Sequence, residues 1–204
     1  MPTLLQIDSS PRSASISSRL SATFVNKWKT LNPDGRLIHH NTTLEELPFV
    51  DELMADAYFT AAEALTAPQK QHLALSDKLV DELLAADVLV FGVPMWNLGI
   101  PASLKAWIDL IVRAGRTFDF APTGVVSLVP AGKKVYVFSA RGGTYPDDTT
   151  AKAYDQQEPY LRALFNFLGF SDVTFIHAEN QSGDAQTAAA GVAQAEAELA
   201  ILAL

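Results

Sequence analysis

Short apolar runs alternate along this chain with longer stretches in which apolar residues recur every three or four positions. The short runs fall at residues 3–8, 36–43, 87–94, 132–138 and 172–178 and read as strands. Leu4, Leu5 and Ile7 in the first run, and DVLVFGVP at 87–94, are nearly unbroken, as strands buried on both faces require. The run 36–43 (RLIHHNTT) is weaker. Leu20, Phe24, Trp28 and Leu31 form a helical stripe, and Leu73, Leu79, Val80, Leu83 and Leu84 supply another over 67–86. Leu104, Trp107, Ile108 and Ile111 predict a helix over 102–113. Tyr160, Leu161, Leu164, Phe165 and Leu168 mark one over 158–167, stopped at Gly169. The Ala-rich stretch 184–204 favours a final helix. A shorter helical piece is read within 50–64; 115–121, with Phe118 and Phe120, and 144–152 read as loops. His39 and His40 are adjacent, so on a strand they face opposite sides and cannot share one metal ion.

Five strands alternating with helices predict an α/β chain with a parallel, doubly wound sheet, right-handed crossovers and helices on both faces. The 2-1-3-4-5 strand order fits the length, and no linker or repeat divides residues 1–204 into more than one domain. In that order the ligand crevice is built from the loops after strands one, three and four.

Those loops carry the candidate chemistry. The first holds six serines within ten residues: Ser9, Ser10, Ser13, Ser15, Ser17 and Ser18. Hydroxyls beside a helix N-terminus suit a phosphate, whose charge meets free N–H groups and the positive end of the helix dipole. Neither glycine fingerprint of a phosphate loop or a dinucleotide fold follows this strand, so a mononucleotide phosphate fits better than a pyrophosphate. The alternative is that these serines only cap the helix. The second loop, Pro94-Met95-Trp96-Asn97-Leu98-Gly99-Ile100-Pro101, offers a polarizable sulfur, an aromatic plane and exposed amides. The third, Ser139-Ala140-Arg141-Gly142-Gly143, offers a cation and two glycines that let backbone approach a flat ligand. A phosphate at one end and a planar polar ring at the other is the shape of FMN. Arg141 or amides beside the ring would stabilise its anionic reduced form. Trp96 and Phe118 have core packing as an alternative role, and Arg141 a surface ion pair.

Composition narrows the classes. The 204 residues are 49% hydrophobic, which suits a folded domain with a sizeable core. The net charge of −8 argues against a nucleic-acid partner. The chain has no cysteine, which excludes disulfides, thiol catalysis and Cys-ligated metals. No basic and apolar leader is visible and no apolar run approaches the ~20 residues of a spanning helix, so a cytoplasmic protein without membrane contact is expected.

Ser9-Ser10-Pro11-Arg12 with Ser15-Ile16-Ser17, then 94–101, then Ala140-Arg141-Gly142-Gly143 resemble the FMN-dependent NADH-azoreductases. These are the azobenzene reductase and NAD(P)H:quinone oxidoreductase family, of flavodoxin-like fold. The resemblance runs through nearly the whole chain, and its middle motif is the most specific. It implies that Ser9 or Ser10, Ser15, Ile16 and Ser17 hold the FMN phosphate. It assigns the ring to Pro94, Met95, Trp96, Asn97, Leu98 and 139–143. It further implies a homodimer with one FMN per subunit. Trp96, Phe118, Phe120 and Phe165 are the candidates for a substrate pocket. Three positions depart from the family pattern: Trp96 stands where Tyr is frequent, Leu98 where Phe is frequent, and Ala140 where Ser is usual. Ser139 cannot replace the missing hydroxyl, because neighbouring strand residues face opposite ways.

The activity so implied is two-electron transfer from NADH or NADPH to a quinone or aromatic azo compound. One slot used twice gives ping-pong kinetics, with no side-chain nucleophile and no metal. A single-electron carrier of flavodoxin type is the alternative, which the acidic surface would suit. A flavin-free nucleotide-binding module is a third.

Overall fold

The computed structural model describes residues 1–203. Its main sheet has five parallel strands in the order β2-β1-β3-β6-β7. They are β1 (Thr3–Asp8), β2 (Arg36–Asn41), β3 (Val88–Pro94), β6 (Lys134–Ala140) and β7 (Asp172–Ala178). This is the 2-1-3-4-5 order expected from the pattern. The helices are α1 (Ile16–Leu31), α2 (Glu52–Tyr58), α3 (Ala67–Ala85), α4 (Ala102–Ile111), α5 (Glu158–Phe167) and α6 (Ala185–Ile201). A short 3₁₀ turn occupies Thr150–Tyr154, inside and just past the stretch read as a loop.

Period-two alternation along each strand feeds two separate apolar layers. Leu4, Val90, Tyr136 and Phe138 face α1 and α6, packing on Leu20, Phe24, Trp28 and Leu199. Leu5, Leu89, Phe91, Val135 and Val137 face the other side, against Leu73, Leu83, Leu104, Trp107 and Phe165. Because helices cover both faces, the strands can be apolar throughout. The helix limits follow local chemistry. Ser15 caps α1, and the Asn32 N–H and side chain close it on the Trp28 carbonyl. Thr66 and Gln69 form a reciprocal capping box on α3, with Pro68 in its first turn.

The segment 115–121 departs from its expected form. Phe118–Ala121 (β4) and Gly124–Ser127 (β5) pair as an antiparallel hairpin. The signal was present as Pro122-Thr123-Gly124 between two short alternating runs, and four-residue strands are too brief for periodicity to reveal. β6 also runs two residues past Phe138, because Ser139 and Ala140 pair with His177 and Ala178 of β7.

Asp8 of β1 and Gly92 of β3 are paired in register. Asp8 is buried and accepts hydrogen bonds from Gln6 Nε2 (3.0 Å), Ser21 Oγ (2.8 Å) and His39 Nε2 (2.9 Å). That bond is the main reason the His39 imidazole titrates above its ordinary value. A Cβ on Gly92 would lie 2.1 Å from Asp8 Oδ1 and 3.2 Å from the Ser17 carbonyl. Gly92→Ala should therefore lower stability by about 1–3 kcal/mol, the usual range for overpacking, as read by urea unfolding. An unchanged midpoint would show that Asp8 can move aside.

Candidate functional site

The three chemically informative loops meet at the carboxyl edge of the sheet. They enclose a cavity of about 280 Å³ lined by Ser10, Arg12, Ala14, Ser15, Ile16, Pro94, Met95, Trp96, Ala140, Arg141, Gly142, Gln181 and Ser182. Trp96 also borders a second, more apolar cavity of about 490 Å³, with Pro11, Thr43, Asn97, Ile100 and Pro101 among its walls.

At one end the cavity meets the start of α1. Ser15 Oγ accepts the Ser18 N–H at 3.2 Å, and the Arg19 N–H reaches the Ser15 carbonyl at 3.1 Å. The N–H groups of Ile16 and Ser17 make no hydrogen bond among the described residues. They lie at the positive end of a 16-residue helix. Ser15 is thus both cap and cavity wall, so the two roles weighed for the serines coexist. Ser17 is fully buried, with its Oγ 3.1 Å from Ser15 Oγ, and does not line the cavity. Ser9 does not reach the cavity: its N–H and Oγ both donate to the Gly92 carbonyl, at 3.0 and 3.2 Å, tying β1 to β3.

At the other end stand the second and third loops. Trp96 and Gly99 exchange two backbone hydrogen bonds of 3.0 Å, closing a two-residue turn at Asn97 and Leu98. Both turn residues have positive φ, 46° and 74°, although neither is glycine. This conformation is strained for a leucine and is of the kind that gathers at functional sites. The Asn97 and Leu98 amides, and those of Gly142 and Gly143, are unbonded among the described residues. Trp96 is 47% exposed, so it is a cavity wall and not core. A Cβ on Gly142 would lie 2.8 Å from Ser182 Oγ, so a larger residue there would require that hydroxyl to rotate.

Several sequence expectations are corrected here. The Arg141 side chain is buried, 2% exposed. Nη1 lies 3.0 Å from Asp155 Oδ2, Nη2 lies 3.0 Å from Glu158 Oε2, and Nε lies 3.1 Å from His177 Nδ1. Arg141 borders the cavity, but its cation belongs to a buried cluster. Ser139 is buried too, with Oγ 2.6 Å from His177 Nδ1, while Ala140 borders the cavity as alternation demands. Of the four substrate-pocket candidates, only Trp96 borders the crevice. Phe165 is core, with its ring 5.3 Å from that of Phe91. Phe118 packs on Phe167 at 5.0 Å in the hairpin, and Phe120 stands 66% exposed there. The sequence reasoning passed over Gln181 and Ser182 in the loop after β7. That loop ends a strand at the same edge, and topology alone would have placed it in the crevice.

An open parallel sheet with free helix amides and two amide-bearing loops at its carboxyl edge defines a protein built to hold a phosphorylated, flat ligand. The model of the flavodoxin-like fold matches residues 2–202. The chain is 50% identical over 181 residues to an FMN-dependent NADH:quinone oxidoreductase of Nostoc sp., covering 88% of this chain and 87% of that one. It is 44% identical over 203 residues to one of Azospirillum brasilense, covering 98% and 97%. Among solved structures, an FMN-dependent NADH-azoreductase of Bacillus anthracis in complex with FMN superposes with a TM-score of 0.86 at 25% identity over the full length of both chains. The chain belongs to this flavodoxin-like family of FMN-dependent NADH:quinone oxidoreductases and NADH-azoreductases.

The buried cluster gives the site a pH signature. The Glu158 carboxyl is held well below the usual carboxylate range, first by the hydrogen bond from His177 and next by that from Arg162, against the opposing effect of burial. A depressed carboxylate stabilises the fold above its unfolded pKa, and the contribution is lost as pH falls through the folded value. The melting-temperature gap between wild type and Glu158→Gln should accordingly be widest near neutrality and narrow below about pH 4.5. Thermal melts across that range test it, and a pH-independent gap would count against the linkage.

Proposed function

We propose that this chain is a single FMN-binding domain that takes two electrons from NADH and passes them to a quinone. The observation that carries the proposal is the convergence on one cavity of free amides from α1 and from the Gly142 loop, with Met95 and Trp96 of the second loop in its wall. The donor set fits FMN: the Ile16 amide with the Ser10 and Ser15 hydroxyls suits its phosphate, and the unbonded Ser17 amide stands next along α1. The Gly142 and Gly143 amides suit the acceptors of its ring, and Met95 and Trp96 suit the ring's apolar part. When bound, FMN supplies the atom that accepts and returns the hydride. The chain's own residues orient the ring and place partial positive charge where negative charge develops. They need supply neither a nucleophile nor a metal. The apolar cavity beyond Trp96 is the slot for the nicotinamide and then, in turn, for the acceptor. Its size and aromatic wall suit azo compounds as well as quinones. Sequential use of one slot makes the kinetics ping-pong.

The expected assembly is a homodimer. Phe49, Phe59, Trp96, Leu98 and Phe120 are large apolar side chains left exposed on one chain and free to enter a subunit contact. Light scattering of the purified protein tests it. Among the described residues no helix is long and apolar enough to cross a membrane.

Purified protein loaded with FMN should lose its visible flavin absorbance on anaerobic mixing with NADH and regain it with a quinone. Double-reciprocal plots at several quinone concentrations should be parallel; converging lines would remove the one-slot scheme. Ser15→Ala should weaken FMN binding about tenfold while leaving riboflavin, which has no phosphate, little changed. Equal loss for both ligands would move the phosphate away from α1.

A further inference from the structure

We propose that Asp155 is a positioning residue that locks the two ring-facing loops together, an inference that rests on FMN occupying the crevice. Asp155 lies in neither loop and borders neither cavity. Its side chain is fully buried and both oxygens are engaged. Oδ2 takes the Arg141 guanidinium at 3.0 Å, and Oδ1 accepts the N–H groups of Gln157 and Glu158 at 3.2 and 3.1 Å. On one side this holds Arg141, whose carbonyl and next two residues form the third loop. On the other side it fixes the path of 156–157. The Gln156 N–H donates to the Leu98 carbonyl at 3.0 Å, and Gln157 Nε2 donates to the Val93 carbonyl at 3.3 Å. Leu98 is a strained residue of the second loop, and such a conformation persists only when its surroundings over-determine it. Three consecutive residues, 155–157, thus grip the Trp96–Gly99 turn with one hand and the Gly142–Gly143 loop with the other.

The physical consequence is a fixed gap between the two loops. An ion pair with both partners this buried cannot slide, because separating the charges in low dielectric is costly. The free amides of Asn97, Leu98, Gly142 and Gly143 are therefore presented at set distances from one another. Releasing Asp155 should loosen the ring end of the site and leave the phosphate end, built on α1, as it was.

The test is fluorescence titration of apoprotein with two probes, FMN and riboflavin. In Asp155→Asn the two dissociation constants should rise together, by about tenfold or more for a loop displaced on the ångström scale, with their ratio unchanged. Arg162→Ala, which removes an exposed partner of Glu158 outside the 155–157 link, should bind both probes as wild type does. If folded Asp155→Asn also binds both probes as wild type does, or loses FMN affinity alone, the proposal is overturned. Should Asp155→Asn fail to fold, Gln157→Met is decisive in its place. It keeps the volume, removes the bond to Val93 and discards a buried Oε1 that has no partner among the described residues. It too should weaken both probes equally, and unchanged binding of both would overturn the proposal. Wild-type protein that binds neither probe would refute the FMN assignment itself, a result distinct from any difference between variants.

Discussion

A parallel sheet covered by helices on both faces leaves little of its backbone open except at its two edges. That constraint governs this molecule. Leu4 and Leu5, or Val90 and Phe91, are neighbours in sequence yet lie in different apolar layers. Each strand is thereby fixed in register, since a one-residue slip would exchange the layers. With the strands fixed and parallel, every strand-to-helix loop opens at the carboxyl edge, where helix N-termini have unbonded amides. The crevice is a consequence of the way the core is closed.

Around the crevice the interior is polar in two places. Under the first loop, Asp8 gathers Gln6, Ser21 and His39, and Gly92 makes room for it. Beside the third loop, Arg141, Asp155, Glu158 and His177 form a continuous buried or half-buried network. Buried ion pairs add little net stability over apolar packing, but leaving one partner alone is costly. Their effect is to fix position. Both clusters lie directly behind residues that face the cavity, where position matters most.

The relation to known proteins agrees with this picture. The Azospirillum brasilense relative spans 98% of this chain, and the solved azoreductase that contains FMN superposes over its whole length. Of the three positions expected to depart from the family pattern, Trp96 and Ala140 line the cavity and Leu98 sits in the turn beside it. The backbone amides there are independent of those side chains, because an amide is supplied by any residue that holds the turn.

The sequence by itself determined the strands, the long helices, the strand order and the three loops that meet, because apolar periodicity and turn residues are local signals. It could not show where a polar side chain points once its loop is packed. Ser9, Ser139 and Arg141 stand in the right motifs, yet their side chains bind Gly92, His177 and Asp155, partners at least 14 residues away along the chain. Phe165 followed its helix into the core, and Phe118 and Phe120 entered a hairpin too short for periodicity to reveal. Gln181 and Ser182 line the cavity because β7 ends at the same sheet edge as β1, β3 and β6. Local sequence sets which backbone conformations form; the long-range packing of charges and hydroxyls sets which of them face the ligand.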